Sequence, residues 1–119
     1  MTTQEIASRL AALCAQGEFE KAQKELYAAD AISIEPFASE GFEKETNGLD
    51  AIIEKGHKFQ AGVEELFGIT VSSPIVAGNS FAMTLTMDMT MKGQGRIQMG
   101  EICVYVVKDG KVISEQFFM

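Results

Sequence analysis

The chain has 119 residues, 46% hydrophobic and 23% charged, with two prolines and a formal net charge of −7. That length supports one domain with a single core, and the composition is that of a globular protein rather than a disordered one. The acidic balance argues against nucleic acid and against an anionic membrane surface as partners, because both need clustered Lys and Arg.

The start, Met1-Thr-Thr-Gln-Glu-Ile, lacks the basic region and apolar block of a signal peptide. From Thr3 to Ala15 the apolar spacing is helical. Thr2 can cap this helix, with Glu5 closing a capping box; Ile6, Leu10 and Leu13 form its stripe, and Gly17 supplies the stop. A second amphipathic helix follows from Glu18, turning Phe19, Ala22, Leu26 and Tyr27 inward. Ala31 to Glu35 alternates and reads as a short strand that stops against Pro36, and Ser39 to Asn47 is polar and reads as a loop. A third helix then puts Leu49, Ile52, Ile53, Gly56 and Phe59 on one face. Asp50 suits its first turn, and Glu54 with Lys58 makes an exposed i,i+4 pair.

Beyond Glu64 the period becomes two. Four strands are predicted, at Leu66–Val76, Phe81–Met91, Arg96–Lys108 and Lys111–Phe118. Gly78-Asn79, Gly93-Gln94-Gly95 and Asp109-Gly110 separate them with residues suited to tight hairpins. Pro74 interrupts the first and implies an edge position or a bulge. In Phe81–Met91 the odd positions are Phe, Met and Leu, whereas from Thr84 the even ones are Thr or Asp, so one face meets the helices. Helices first and an antiparallel meander second give an α+β layer.

Around Ile102–Val107 both strand faces are apolar. Helices on one side would leave Ile102, Val104 and Val106 as an apolar patch. Either a two-fold homodimer through the sheet covers it, or a bend of the chain does. No apolar run is long enough to span a bilayer. Cys14 and Cys103 lie far apart without metal-type spacing and read as buried reduced thiols, which makes a cytoplasmic location the default. The sequence has no His/carboxylate metal cluster, no Gly-rich phosphate loop and no Ser/His/Asp arrangement, so no metal or cofactor is expected.

The succession of helix, helix, short strand, helix and four long strands resembles the nuclear transport factor 2-like superfamily. Its most specific pieces are Leu-Tyr-Ala-Ala-Asp-Ala-Ile-Ser-Ile-Glu-Pro, from Leu26, and Val-Lys-Asp-Gly-Lys-Val-Ile-Ser-Glu-Gln-Phe-Phe near the end. The resemblance is to the SnoaL-like and ketosteroid-isomerase-like branch. It implies a cone-shaped (cystatin-like) fold with three N-terminal helices packed on a curved, mostly antiparallel sheet. It also implies that Glu35, ahead of Pro36, stands where the isomerases hold their general base, with a side chain one methylene longer that displaces the carboxylate by about an ångström. Glu101 roughly matches their protonated acid, although the turn that follows is one residue longer here. Leu10 stands where they carry a donor Tyr and cannot donate, and Met87 stands where they tend to carry an aromatic. Ketosteroid isomerisation itself is therefore not the expectation.

Taken by itself, Glu35 is either a solvated strand end, on a face with Ala31 and Ser33, or a base over a cavity with a raised pKa. Glu101 shares a strand face with Met99, Cys103 and Tyr105, so it must be paired, protonated or facing a ligand. Glu115, beside Phe117, raises the same question, and several acids around one cavity would split their pKa values. His57 is either a boundary residue of the third helix or a proton shuttle opposite Glu35. Tyr27 reads as a core residue with a bonded hydroxyl. Met83, Met87 and Met99 are either core filler or the wall of an apolar pocket. That pocket would be completed by Leu10, Ile53 and Phe59 from the helices and by Leu85, Cys103 and Phe117 from the strands.

Two readings follow. One is a pocket for a small, mostly apolar molecule, with cofactor-free acid–base chemistry through Glu35 as base, Glu101 as donor and His57 as a possible shuttle. The other is a non-catalytic ligand-binding or dimeric interaction module.

Overall fold

Thr2 opens the first helix as its sequence requires: its hydroxyl accepts the Glu5 N–H at 3.1 Å, and the Glu5 carboxylate accepts the Thr2 N–H at 2.8 Å. The computed structural model describes residues 1–119. Helix α1 (Thr3–Ala15) buries Ile6, Ala7, Leu10, Leu13 and Cys14. Gly17 turns the chain at φ 76°, and α2 (Phe19–Leu26) lies beside α1, clamped by a two-pronged Arg9–Glu25 pair at 2.7 and 3.0 Å.

The first strand begins earlier than the alternation suggests. β1 runs Tyr27–Ile34 with no loop after α2, and its register against the last strand shifts between Tyr27 and Ile32. A bulge restarts the two-residue period there, so only the stretch after Ala31 reads as a strand from sequence. β2 (Glu45–Asn47) forms inside the segment expected to be loop, pairing antiparallel with β1. Helix α3 (Leu49–Ala61) then crosses back over β1.

The expected strand Leu66–Val76 is two strands, β3 (Val63–Val71) and β4 (Ile75–Ala77), with Pro74 in the break. Proline has no N–H for a ladder and separates them. β5 (Ser80–Met91), β6 (Gly95–Lys108) and β7 (Lys111–Phe118) follow the predicted bounds to within a residue. The sheet order is β2-β1-β7-β6-β5-β3, with β4 on β5. Only the β1–β7 pairing is parallel. The result is three helices on a mostly antiparallel α+β sheet, and no helix is long and apolar enough to cross a membrane.

Phe81, Met83, Leu85, Met87 and Met89 are all buried on the face toward the helices. Opposite them on β6 stand Tyr105, Cys103, Glu101, Met99 and Ile97. The outer face carries the rows Thr84–Ile102–Phe118, Ala82–Val104–Gln116 and Ser80–Val106–Ser114. No element covers the outermost row: Ile102 is 49% and Phe118 46% exposed.

The core includes the pair Phe81 and Tyr105, both buried and stacked with ring centroids 4.8 Å apart. Phe81→Ala leaves an aromatic-sized void and should cost about 3–5 kcal/mol, measured as a lower urea midpoint with an unchanged slope.

Candidate functional site

Between the helices and the inner sheet face lies a cavity of about 810 Å³. Its floor is carbon and sulfur from Leu85, Met87, Met89, Ile97 and Met99, and Leu10, Ile52 and Phe59 close it from the helices. Glu35, Glu101 and Glu115 all line it, together with Lys55.

The small residues of β1 explain how a charge reaches this place. Ala31 and Ser33 are fully buried because α3 packs over their face. Glu35 is next on that face and carries its carboxylate to the cavity margin. On α3, Lys55 lies three residues after Ile52 and four before Phe59, so it belongs to the buried stripe. Its ammonium donates to Glu35 Oε2 at 2.9 Å and to Ser33 Oγ at 2.6 Å. The two side chains are only 16% and 27% exposed, so solvent screens this pair far less than a surface one. Lys55 Nζ also sits 5.7 Å from the Phe117 ring centroid.

The chain of bonds continues inward. The Ser33 hydroxyl donates to Glu115 Oε2 at 2.6 Å, and the Tyr27 hydroxyl donates to Glu115 Oε1. Glu115 is almost wholly buried, and burial pushes its pKa up; the bonds from Ser33 and Tyr27 and the charge of Lys55 oppose that rise, while Glu35 adds to it. The Tyr27 hydroxyl is itself pushed well up, first by burial and then by Glu115.

Glu101 stands apart. Its one protein partner is the Cys103 thiol, at 3.9 Å. Burial, and after it the charges of Glu35 and Glu115, raise its pKa to about 7. A carboxyl with that midpoint gives or takes a proton with equal ease near neutrality. The two thiols do not compete for this role: burial pushes Cys14 up to about 12 and Cys103 higher still, so neither forms the reactive thiolate near pH 7.

Of the residues singled out in the sequence, Glu35, Glu101, Glu115, Leu10, Tyr27 and Phe59 line the cavity. Leu85, Met87, Met99 and Phe117 do so as well. Four do not. Ile53 gives way to Ile52, which is the residue buried on α3. Met83 and Cys103 are packed in the core and do not line the cavity. His57 is half exposed and pairs with Glu20 on α2, with Glu54 at 3.7 Å; it does not face Glu35. The expected Glu54–Lys58 pair also does not form, because Lys58 turns to the Gly41 carbonyl and the Phe42 ring. Lys55 went unnoticed in the sequence, although a lysine inside the apolar spacing Ile52–Gly56–Phe59 was a legible sign. No group of three or more His, Cys, Asp or Glu side chains is arranged to hold a metal ion.

The SnoaL-like domain family matches residues 1–119. A crystal structure from Mesorhizobium loti, provisionally named a SnoaL-like polyketide cyclase, is 35% identical with a TM-score of 0.91, covering 100% of both chains. A nuclear transport factor 2-like protein of unknown function from Burkholderia pseudomallei is 13% identical, covering 100% of this chain and 92% of that one, with a TM-score of 0.81. A protein with a ketosteroid isomerase-like fold from Catenulispora acidiphila, in complex with trimethylamine, is 16% identical over 97% and 85% of the two chains, with a TM-score of 0.74. The last two likenesses are of fold alone. No curated protein matches the chain.

The raised midpoint of Glu101 has a thermodynamic consequence. Its folded-state pKa of about 7 lies above the ordinary 4.5, so the folded state holds a proton that the unfolded state releases. Stability from this group is therefore complete below about pH 4.5 and is lost as the pH rises through 7. Glu101→Gln should remove a loss on the order of 2 kcal/mol between about pH 5 and pH 8. Urea unfolding of both proteins at several pH values measures it as a flatter profile for the variant.

Proposed function

We propose, from the premise that this chain belongs to the SnoaL-like domain family, that its cavity binds a small, mostly apolar molecule and moves a proton on it without a cofactor. Family membership alone assigns no reaction. The observation that supports acid–base work is the unequal satisfaction of three carboxyl groups in one apolar space. Glu115 is held by two hydroxyls and Glu35 by Lys55, while Glu101 has only a distant thiol.

The roles divide accordingly. Lys55 occupies Oε2 of Glu35 and leaves Oε1 without a protein donor, free to take a proton from a carbon next to a carbonyl. Glu101 in its protonated form donates to the carbonyl oxygen as negative charge develops there, in a medium where water does not compete. Returning the proton to another carbon completes an isomerisation; attack of the enolate on a second carbonyl closes a ring, the proton going to the new alkoxide; and departure of a hydroxyl that takes the proton up releases water in a dehydration. The provisional naming of the Mesorhizobium loti relative makes ring closure the first of these to test. Leu10 contributes only carbon surface, so the second donor of the ketosteroid isomerases has no counterpart at that position.

A second copy of the chain covers the outer sheet face in this reading, and the dimer works in the cytoplasm. The nine outer positions in the rows of β5, β6 and β7 hold no charged side chain, in a protein whose net charge is −7. A two-fold contact sets a surface against itself, so like charges would repel across it. An uncharged stripe ending in exposed Ile102 and Phe118 is the part of this surface that tolerates self-contact.

Deuterium uptake next to the carbonyl of apolar cyclic ketones, followed by NMR, reads the chemistry. Glu35→Gln and Glu101→Gln should each slow uptake about 10²- to 10⁴-fold, and uptake as fast as in the unaltered protein rules out the role of the residue replaced. Native mass spectrometry at micromolar concentration should return twice the chain mass, and the single chain mass after Ile102→Lys. A monomer before substitution ends the dimer proposal.

A further inference from the structure

Lys55 is the one ammonium group at this cavity that touches its carboxylates. Lys58 also lines the cavity but is turned to the Gly41 carbonyl and the Phe42 ring. One positive charge thus faces three acids on three different elements: Glu35 after β1, Glu101 on β6 and Glu115 on β7.

The direction of each bond tells how that charge is shared. The Lys55 ammonium gives one hydrogen to Glu35 and another to the Ser33 oxygen. Ser33 accepts there with one of its two lone pairs and turns its single hydrogen to Glu115. A serine hydroxyl has one hydrogen, so its direction is fixed by the lysine on its far side. Tyr27 supplies the second donor to Glu115. Both acids on this path therefore have donors for their ionised form, and for Glu115 these oppose the rise that burial imposes.

We propose that Lys55 is a positioning residue whose single ammonium, acting on Glu35 directly and on Glu115 through the Ser33 hydroxyl, supplies hydrogens to the ionised form of both and leaves Glu101, alone of the three, without an ammonium or hydroxyl donor, as the acid that gives a proton while Glu35 takes one. The proposal rests on the acid–base reading of the cavity and deepens it. Around Glu101 the charged and titratable groups are Lys55 from α3, Glu35 from the end of β1, Glu115 from β7 and the Cys103 thiol on its own strand. Glu35 and Glu115 raise its proton affinity, and Lys55 and Cys103 lower it, after burial has set the larger rise. Glu64 and Glu65 also line the cavity, on β3.

The test is substrate-free. Side-chain carboxyl NMR titration of the whole protein follows Glu101 in the unaltered chain, in Lys55→Met, in Lys55→Arg and in Glu35→Gln. Lys55→Met keeps the length of the side chain and removes its charge, so the Glu101 midpoint should rise by about one unit or more. Lys55→Arg keeps the charge and should hold the midpoint within about half a unit. Glu35→Gln removes the negative charge that raises Glu101 most and should lower the midpoint, which keeps the question answerable if Lys55→Met does not fold. Merely structural roles would lower the unfolding midpoint of these variants without moving the titration. A Glu101 midpoint near the ordinary carboxylate range in the unaltered protein overturns the acid–base reading. A midpoint near 7 that ignores both neutralising substitutions overturns only the role of Lys55.

Discussion

A single lysine on α3 makes this cavity possible as a polar site. An ionised carboxylate in an apolar enclosure costs several kcal/mol unless charge and hydrogen bonds compensate it, and of the five glutamates that line this one, Glu35, Glu101 and Glu115 are the three set around Lys55. Lys55 answers for two of them by contact and by relay through Ser33. Without it, Glu35 and Glu115 would face each other across the Ser33 hydroxyl with no cation between them. Because breaking a buried pair strands the partner charge, the placement of α3 over β1 is both a packing requirement and an electrostatic one. Ala31 and Ser33, the smallest side chains on that face, let the helix come close enough for the ammonium to reach.

The sheet divides its labour by face. Inward it presents sulfur and carbon from Met87, Met89, Met99 and Leu85, which shape a wall without presenting strong hydrogen-bonding groups to a ligand. Outward, the three rows from Ser80–Val106–Ser114 to Thr84–Ile102–Phe118 carry no charge, and the Asp88–Arg96 ion pair lies further along the same face. The strict alternation of β5 serves both needs at once, since a slip of one residue would put Thr84 and Thr86 into the cavity and expose Met87. Long pairing along β5 and β6, from Ser80–Val106 to Met91–Gly95, pins that register.

Helix starts, hairpin turns and the period of β5, β6 and β7 were legible in the sequence because each rests on local chemistry: a capping box at Thr2, glycine turns, and alternation over eight or more residues. What was not legible depends on contacts distant in the chain. The bulge between Tyr27 and Ile32 is set by parallel pairing to β7, some eighty residues on. Ser33 looked like part of a solvated face because nothing nearby in sequence says that α3 will cover it. His57 sits at the stripe margin by spacing, but its direction is decided by Glu20 on a different helix. Glu35 and Glu101 were visible as acids out of place, Glu35 by its position against Pro36 and Glu101 by its apolar strand. Lys55 was hidden by its ordinary role on helix surfaces, and only the residues three before and four after it reveal the buried stripe.

Glu101 is the residue that stability alone does not explain. A leucine or methionine there would extend the apolar floor beside Leu85 and Met99, and a glutamine would avoid the proton linkage. The carboxyl instead gives the protein a group that resists ionisation until neutral pH, in a cavity where its two acidic neighbours already have donors. Local rules of core composition are broken most often where a protein does its work, and perturbed acids in concave apolar sites follow that pattern. Here the break occurs at one position only, next to a compensated pair. Compensation at Glu35 and Glu115 and its absence at Glu101 are two halves of one arrangement. Were all three satisfied, the cavity would be a binding pocket with polar decoration. Were none satisfied, burial would force protons onto the group. With two held and one free, the proposed chemistry has a proton donor at Glu101 beside an acceptor at Glu35.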